Sequence, residues 1–271
     1  MSLLEVKGLT VDFISRNGIN HAVDSVDFDV QSGKILAIIG ESGSGKSVAC
    51  YSLLGLIPRP PGKIVAGSAL FEGKDLLQMS EKALRKIRGA DIAMVFQDPM
   101  TCLNPYMKIG AQLMEPLIFH QKVSQSVAKV RALELLEEVG IRDPKTTIDN
   151  YPHEFSGGMR QRVMIAMALI NEPKLLIADE PTTALDVTIQ AQILQLMADL
   201  QKKRNIGVVF ISHDLAVVAD IADQIIVMQS GTVVERGNRE DIFERAQHPY
   251  TQKLLAAIPG GSKQSNTNHT D

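Results

Sequence analysis

Apolar residues follow two spacings along this chain. From Leu4 to Val30 they partly alternate with polar ones, as in Leu4-Glu5-Val6-Lys7-Gly8-Leu9-Thr10-Val11-Asp12-Phe13 and Val26-Asp27-Phe28-Asp29-Val30. Alternation predicts half-buried strands, here short ones with turns at Arg16-Asn17-Gly18 and Gln31-Ser32-Gly33. Another strand is predicted over 64–71, after the break Pro58-Arg59-Pro60-Pro61-Gly62, and a short helix over 81–88. Residues 106–150 change to a helical spacing. There Val127, Val130, Ala132, Leu133, Leu136 and Val139 predict one apolar helix face, in an inserted block that ends near Pro144.

Three apolar runs are continuous instead: Lys34–Ile39, Leu175–Asp179 and Gly207–Ile211. Such runs predict strands buried on both faces. Helices are predicted at 159–170, before the second run, and at 187–203, between the second and third. Strands alternating with helices place the chain in the α/β class, doubly wound around a mainly parallel sheet. There is no internal repeat, and the polar, Gly-led residues 260–271 predict disorder.

The 271 residues suffice for a substantial core, and 45% hydrophobic with 22% charged residues is ordinary for a globular protein. A net charge of −3 argues against a dedicated nucleic-acid binder. Two cysteines, Cys50 and Cys102, are too few for a disulfide framework or a cysteine-built metal site. Cys50 is expected as a small apolar residue in a helix. The N-terminus lacks a basic segment followed by an apolar one, and no apolar run approaches the roughly 20 residues that span a bilayer. A cytosolic protein, able to dock on a membrane protein, is therefore expected.

The strongest chemical signal is Gly40-Glu41-Ser42-Gly43-Ser44-Gly45-Lys46-Ser47, between a predicted strand and a predicted helix. That context turns a G-x-x-x-x-G-K-[ST] match into a phosphate site. The glycines let backbone N–H groups curl around phosphates, and the helix N-terminus adds its dipole. Lys46 adds a point charge, and the Ser47 hydroxyl can ligate Mg²⁺. By itself this loop leaves kinases, GTPases, helicases and transporters open.

Phe155-Ser156-Gly157-Gly158-Met159-Arg160-Gln161-Arg162 narrows the field. It resembles the signature motif of ATP-binding-cassette (ABC) ATPases. Physically, Ser156-Gly157-Gly158 opening a helix is a second anion site. Two phosphate-binding elements in one chain suggest a head-to-tail dimer with each nucleotide between the loop of one subunit and the signature of the other. The strand ending in Asp179-Glu180 resembles Walker B, in which Asp179 would enter the Mg²⁺ shell and Glu180 would act as general base. Pro181-Thr182-Thr183-Ala184-Leu185-Asp186 resembles the family's D-loop, with Thr183 where Ser is common. His213 resembles the switch histidine that contacts the γ-phosphate. Gln97, in Phe96-Gln97-Asp98-Pro99, resembles the Q-loop glutamine, whose amide can join the Mg²⁺ and water shell. Phe13 resembles the aromatic that stacks on adenine.

The resemblance spans residues 4–258, with these motifs in the family's order. It implies a P-loop NTPase (RecA-like) core with an N-terminal antiparallel β subdomain and an inserted α-helical subdomain. The expected division is one ABC ATPase domain over 1–258, with the nucleotide-binding core at 1–98 and 159–235, the helical subdomain at 99–158 and a tail at 259–271. A finer similarity joins the chain to ATPases of dipeptide, oligopeptide and nickel importers. It rests on Phe96–Met100, Leu103-Asn104-Pro105, Tyr151-Pro152-His153, Leu175–Thr188 and His248-Pro249-Tyr250-Thr251. Many peptide members carry a cysteine-bearing C-terminal extension. The sequence lacks those cysteines and resembles the short form, more typical of nickel or metallophore members.

The resemblance implies an ATPase using ATP and Mg²⁺ on the cytoplasmic face of the bacterial inner membrane. Its partners would be a second ABC ATPase, two permease subunits and, indirectly, an extracytoplasmic substrate-binding protein. The rival readings are a soluble ABC ATPase of translation or DNA repair, which usually carries two cassettes or a long coiled coil, and an exporter cassette, often fused to membrane spans. A non-ABC kinase or GTPase would lack the Ser156–Gly158 signature.

Overall fold

A computed structural model describes residues 2–16, 18–182 and 185–257, and the counts below refer to those residues. Thr183 of the expected D-loop and the expected tail lie outside them.

The chain opens with two long antiparallel strands, β1 (Ser2–Ser15) and β2 (Gly18–Gln31). The expectation of several short strands is corrected here. Register shifts near Gly8, Ser25 and Val11 break the alternation without ending the strands, so the pattern looks fragmented. After β3 (Ile35–Ile39) and helix α1 (Lys46–Leu53), strands β4 (Gly62–Phe71) and β5 (Lys74–Asp75) join the first pair in a four-stranded sheet of order β2-β1-β4-β5.

Helix α2 (Glu81–Ile87) leads to β6 (Ile92–Val95). Then come α3 (Pro99–Cys102), α4 (Ile109–Gln121), α5 (Gln125–Glu138), α6 (Pro144–Thr147) and α7 (Gly157–Leu169). Pro144 opens α6 rather than ending the block, because a proline at the first helical position gives up no bonded N–H. The apolar face expected on α5 holds at Ala132, Leu136 and Val139, with Leu133 packed against the core, and is corrected at its two leading valines. Val127 and Val130 are 47% and 56% exposed, whereas Ala128, Ala132, Leu135, Leu136 and Val139 are buried. Ala128 and Ala132 lie under the first half of this helix in place of the two valines, beside Leu135, Leu136 and Val139, where it packs on α4 and α7.

The remaining elements are β7 (Leu175–Asp179), α8 (Val187–Arg204), β8 (Gly207–Ser212), α9 (Leu215–Ile221), β9 (Gln224–Gln229), β10 (Thr232–Gly237), α10 (Arg239–Phe243) and α11 (Pro249–Ala256). The second sheet has the order β10-β9-β3-β8-β7-β6, parallel except for β10 at the edge. Its inner strands are apolar on both faces because both faces are covered. Ile35, Ala37 and Ile39 point into the core formed with the later helices, and Leu36 and Ile38 into the core formed with α1 and the antiparallel sheet. This is the α/β arrangement expected, and Cys50 is buried in α1 among apolar neighbours. Among the described residues no helix is long and apolar enough to cross a membrane.

Candidate nucleotide site

Four neighbouring parallel strands, β3, β8, β7 and β6, end along one edge of the sheet, where ligands of open α/β sheets bind. Beyond β3 the chain enters the loop Gly40–Ser47. Beyond β7 come Asp179 and Glu180, beyond β8 His213, and beyond β6 Gln97. The topology thus gathers residues from four distant stretches of sequence at an open cleft of about 910 Å³.

The loop is held by its backbone. Gly40 and Gly45 have φ of 150° and 100°, and a Cβ on Gly45 would run into the Ala22 carbonyl. Only glycine suits both the conformation and the approach. Ser44 accepts from the Gly231 N–H at 3.0 Å through its carbonyl, and the Gly231 carbonyl accepts from Asp24 N–H at 2.8 Å. Strand β2, the loop and the β9–β10 turn are therefore laced together by main-chain bonds.

Lys46 is 4% exposed, and its Nζ donates to the Gly40 and Glu41 carbonyls at 2.8 and 2.9 Å. Burial pushes its pKa down, against the pull of Glu180 and Asp179. Ser47 Oγ donates to Asp179 Oδ1 at 2.8 Å. Burial raises the Asp179 pKa, opposed by hydrogen bonds from Tyr51 and Ser47 and by Lys46, and reinforced by Glu180. Glu180 adopts a left-handed φ of 46°, its N–H donating to the Ile211 carbonyl at 3.0 Å. That kink turns its carboxylate towards two flanking groups: Gln97 Nε2 and His213 Nδ1 each lie 3.1 Å from Glu180 Oε2.

The Ser47–Asp179 pair fits Mg²⁺. An octahedral Mg²⁺ holds oxygens at about 2.0–2.1 Å, so adjacent ligands sit about 2.9 Å apart. The two side-chain oxygens already have nearly that spacing. The donor set is hydroxyl and carboxylate, as a hard cation requires.

Phe13, Ser42, Gly43, Gly45, Lys46, Ser47, Gln97 and Glu180 all line the cleft. Gly40 and Ser44 lie beneath the loop and shape it, while Asp179 and His213 reach the site through Ser47 and Glu180. The structure does not bring Ser156, Gly157, Gly158 or Asp186 into this cleft. Ser156 caps α7, accepting from Met159 N–H, and Asp186 caps α8, accepting from Ile189 N–H at 2.9 Å. Gly158 is closely packed, since a Cβ there would lie 2.8 Å from Ile189 Cγ2.

Three groups at the site escape sequence reasoning. Tyr51 hydrogen-bonds Asp179, and burial followed by that carboxylate pushes its hydroxyl pKa far up. His21, at the cleft wall, pairs with Asp12 at 2.8 Å. Tyr250, in α11, accepts from the Glu41 N–H at 2.9 Å. Its only signal in the sequence is the late His248-Pro249-Tyr250 motif, which points to a family but not to a role.

Known proteins match this arrangement. The model of the ABC transporter family matches residues 23–183, and that of the oligopeptide/dipeptide transporter C-terminal region matches 234–270. The oligopeptide transport ATP-binding protein OppD of Bacillus subtilis is 57% identical over 95% of this chain and 72% of its own length. The dipeptide transport ATP-binding protein DppD of Escherichia coli is 52% identical over 96% of this chain and 79% of its own. Among solved structures, the ATP-binding cassette MJ0796, a dimer in a post-hydrolysis state bound to ADP and Pi, superposes with a TM-score of 0.77. It is 29% identical over 87% of this chain and 98% of that one. Fold, phosphate loop and similarity agree: the chain belongs to the ABC transporter family and is one of its ATP-hydrolysing, ATP-binding subunits.

Proposed function

We propose that the chain energises a bacterial peptide importer, binding and hydrolysing ATP in the cleft at the sheet edge. The names of the similar transport proteins carry oligopeptides and dipeptides, which favours peptides over nickel or metal chelates as cargo. The observation that carries the chemistry is the convergence of Lys46, the Ser47–Asp179 pair and the doubly gripped Glu180 on one open cleft.

In this reading the phosphates rest over Gly43–Ser47 and the base lies on Phe13. Bound Mg²⁺, held by Ser47 and Asp179 with the Gln97 amide beside them, would neutralise charge on the phosphates. Glu180 accepts a proton from the attacking water. Gln97 and His213 hold its carboxylate in place, and His213 is then positioned to stabilise charge developing on the γ-phosphate. Lys46, the loop amides and the start of α1 hold the phosphate oxygens.

Ser156–Gly158 and Asp186 lie outside the chain's own cleft, so we assign them to the nucleotide of a second ATPase subunit. A structurally similar cassette is itself dimeric with ADP and Pi bound. Residues 1–98 and 159–235 would act as the nucleotide core, and 99–158 as the arm that transmits closure to two permeases. An extracytoplasmic binding protein would deliver the peptide, and the chain would sit peripherally on the cytoplasmic side of the inner membrane. The test is the transporter assembled with its permeases in vesicles. Adding peptide-loaded binding protein should raise ATP turnover and drive peptide uptake. Turnover that responds to nickel chelates and ignores peptides would overturn the cargo.

A further inference from the structure

One peptide unit in the phosphate loop is gripped from both sides. The carbonyl of Gly40 accepts from Lys46 Nζ at 2.8 Å, and the N–H of the same unit, on Glu41, donates to Tyr250 Oη at 2.9 Å. Tyr250 is 8% exposed and lies 209 residues further along the chain. We propose that Tyr250 is a positioning residue for ATP: its hydroxyl sets the plane of the Gly40–Glu41 peptide, and thereby the resting place of the Lys46 ammonium. This rests on the reading that Lys46 and its loop hold the phosphates.

The peptide is a rigid plane, so a bond on its N–H fixes the direction of its carbonyl. Gly40, with φ of 150°, has no side chain to resist rotation, and Glu41 is exposed. The other main-chain ties, Ser44 N–H to the Glu41 carbonyl at 3.2 Å and Gly231 N–H to the Ser44 carbonyl at 3.0 Å, lie beyond this peptide and leave its N–H to Tyr250. The Tyr250 hydroxyl therefore anchors the donor side of the peptide whose carbonyl receives the Lys46 ammonium. Orientation of a buried ammonium before the ligand arrives lowers the ordering cost of binding.

Tyr250 is in turn held from behind. Helix α11 starts at Pro249, and His248 caps it, with Nδ1 accepting from the Tyr250 N–H at 3.2 Å. Glu235, on β10, accepts from the Gln247 and His248 N–H groups at 2.6 and 3.3 Å. Burial raises the Glu235 pKa, but Thr251, these two N–H groups and the nearby His248 outweigh it and keep the carboxyl below its ordinary range. Strand β10 thus fixes the start of α11, α11 presents Tyr250, and Tyr250 fixes the loop.

The test uses full-length transporter with four versions of this chain: unaltered, Tyr250→Phe, Leu254→Ala and Lys46→Ala. ATP affinity is read with a fluorescent ATP analogue, and KM and kcat by steady-state hydrolysis. Tyr250→Phe keeps the ring and loses only the hydroxyl. It should weaken ATP binding and raise KM about three- to tenfold, the worth of one hydrogen bond, with kcat within about twofold. Leu254→Ala loosens the packing of α11 on the core without touching the hydroxyl. It should lower the melting temperature and leave KM unchanged. Unchanged KM in Tyr250→Phe, or a KM that rises in step with lost stability in both helix variants, would overturn the positioning role. If Lys46→Ala binds ATP normally, the phosphate-site reading itself fails, and this proposal with it.

Discussion

The Ser47 hydroxyl and the Asp179 carboxylate, 132 residues apart, meet at 2.8 Å, the spacing of two adjacent ligands on Mg²⁺. Neither would suffice alone. Ser47 sits at the start of α1 and Asp179 at the end of β7, so the parallel sheet is what brings them into register.

Removing the hydroxyl should therefore show up as a metal requirement. We expect Ser47→Ala to need roughly tenfold or more Mg²⁺ for half-maximal hydrolysis, a loss of the size seen when a metal site is disturbed. ATP affinity measured in chelator should stay the same. A magnesium titration of turnover that superposes on that of the unaltered chain would remove Ser47 from the metal site.

Glu180 is held by Gln97 and His213 from two sides, which suits a base whose position matters more than its charge alone. Glu180→Gln preserves shape and removes basicity. Turnover should fall by about 10²- to 10⁴-fold, the usual contribution of a positioned base, with ATP binding retained. Gel filtration with ATP should then show a stable closed dimer. Normal turnover would assign the proton to another group.

Burial of Asp179 carries a stability consequence with a definite sign. Its folded pKa lies above the ordinary 3.8, chiefly through burial. Between 3.8 and the raised value the native state holds more of this proton than the unfolded state does, so rising pH through that window removes stability. Asp179→Asn should accordingly raise the melting temperature of the nucleotide-free protein at neutral pH, by about 2–4 °C for each kcal/mol recovered, while hydrolysis is lost. A calorimetric scan showing the variant less stable at pH 7 would contradict this account.

The helical arm offers a check on packing. Leu136 is fully buried and Val130 is 56% exposed, although their spacing made both look like core. Leu136→Ala should cost about 2–5 kcal/mol, and Val130→Ala no more than about 0.5 kcal/mol. Chemical denaturation of the two variants distinguishes the faces directly.

These residues also show where sequence reasoning works and where it stops. Lys46, Ser47, Asp179 and Glu180 lie in local motifs with their strands beside them, so loop, strand and chemistry can be read together. The parallel sheet follows from continuous apolar runs, because burial on both faces leaves a simple pattern. The long β1–β2 ribbon is less legible, since irregularities near Gly8 and Ser25 interrupt its period. The α5 face is partly misleading because the exposed Val127 and Val130 mimic a core stripe, while Ala128 and Leu135, which the spacing left out, join Ala132, Leu136 and Val139 in the core. Tyr51, His21 and Tyr250 stay hidden for another reason: each acts on a partner that only the folded topology brings near.

The lacing of Asp24, Gly231 and Ser44 has a genetic corollary. Main-chain bonds are carried by every amino acid except proline at the donor, so neutral drift at the exposed Asp24 can change the side chain and leave its bond to the scaffold of the loop intact. The Tyr250 hydroxyl has no such insurance: one codon change to phenylalanine erases it. Two supports of the same loop thus age differently: the Asp24 donor tolerates almost any side chain, whereas the Tyr250 hydroxyl depends on purifying selection.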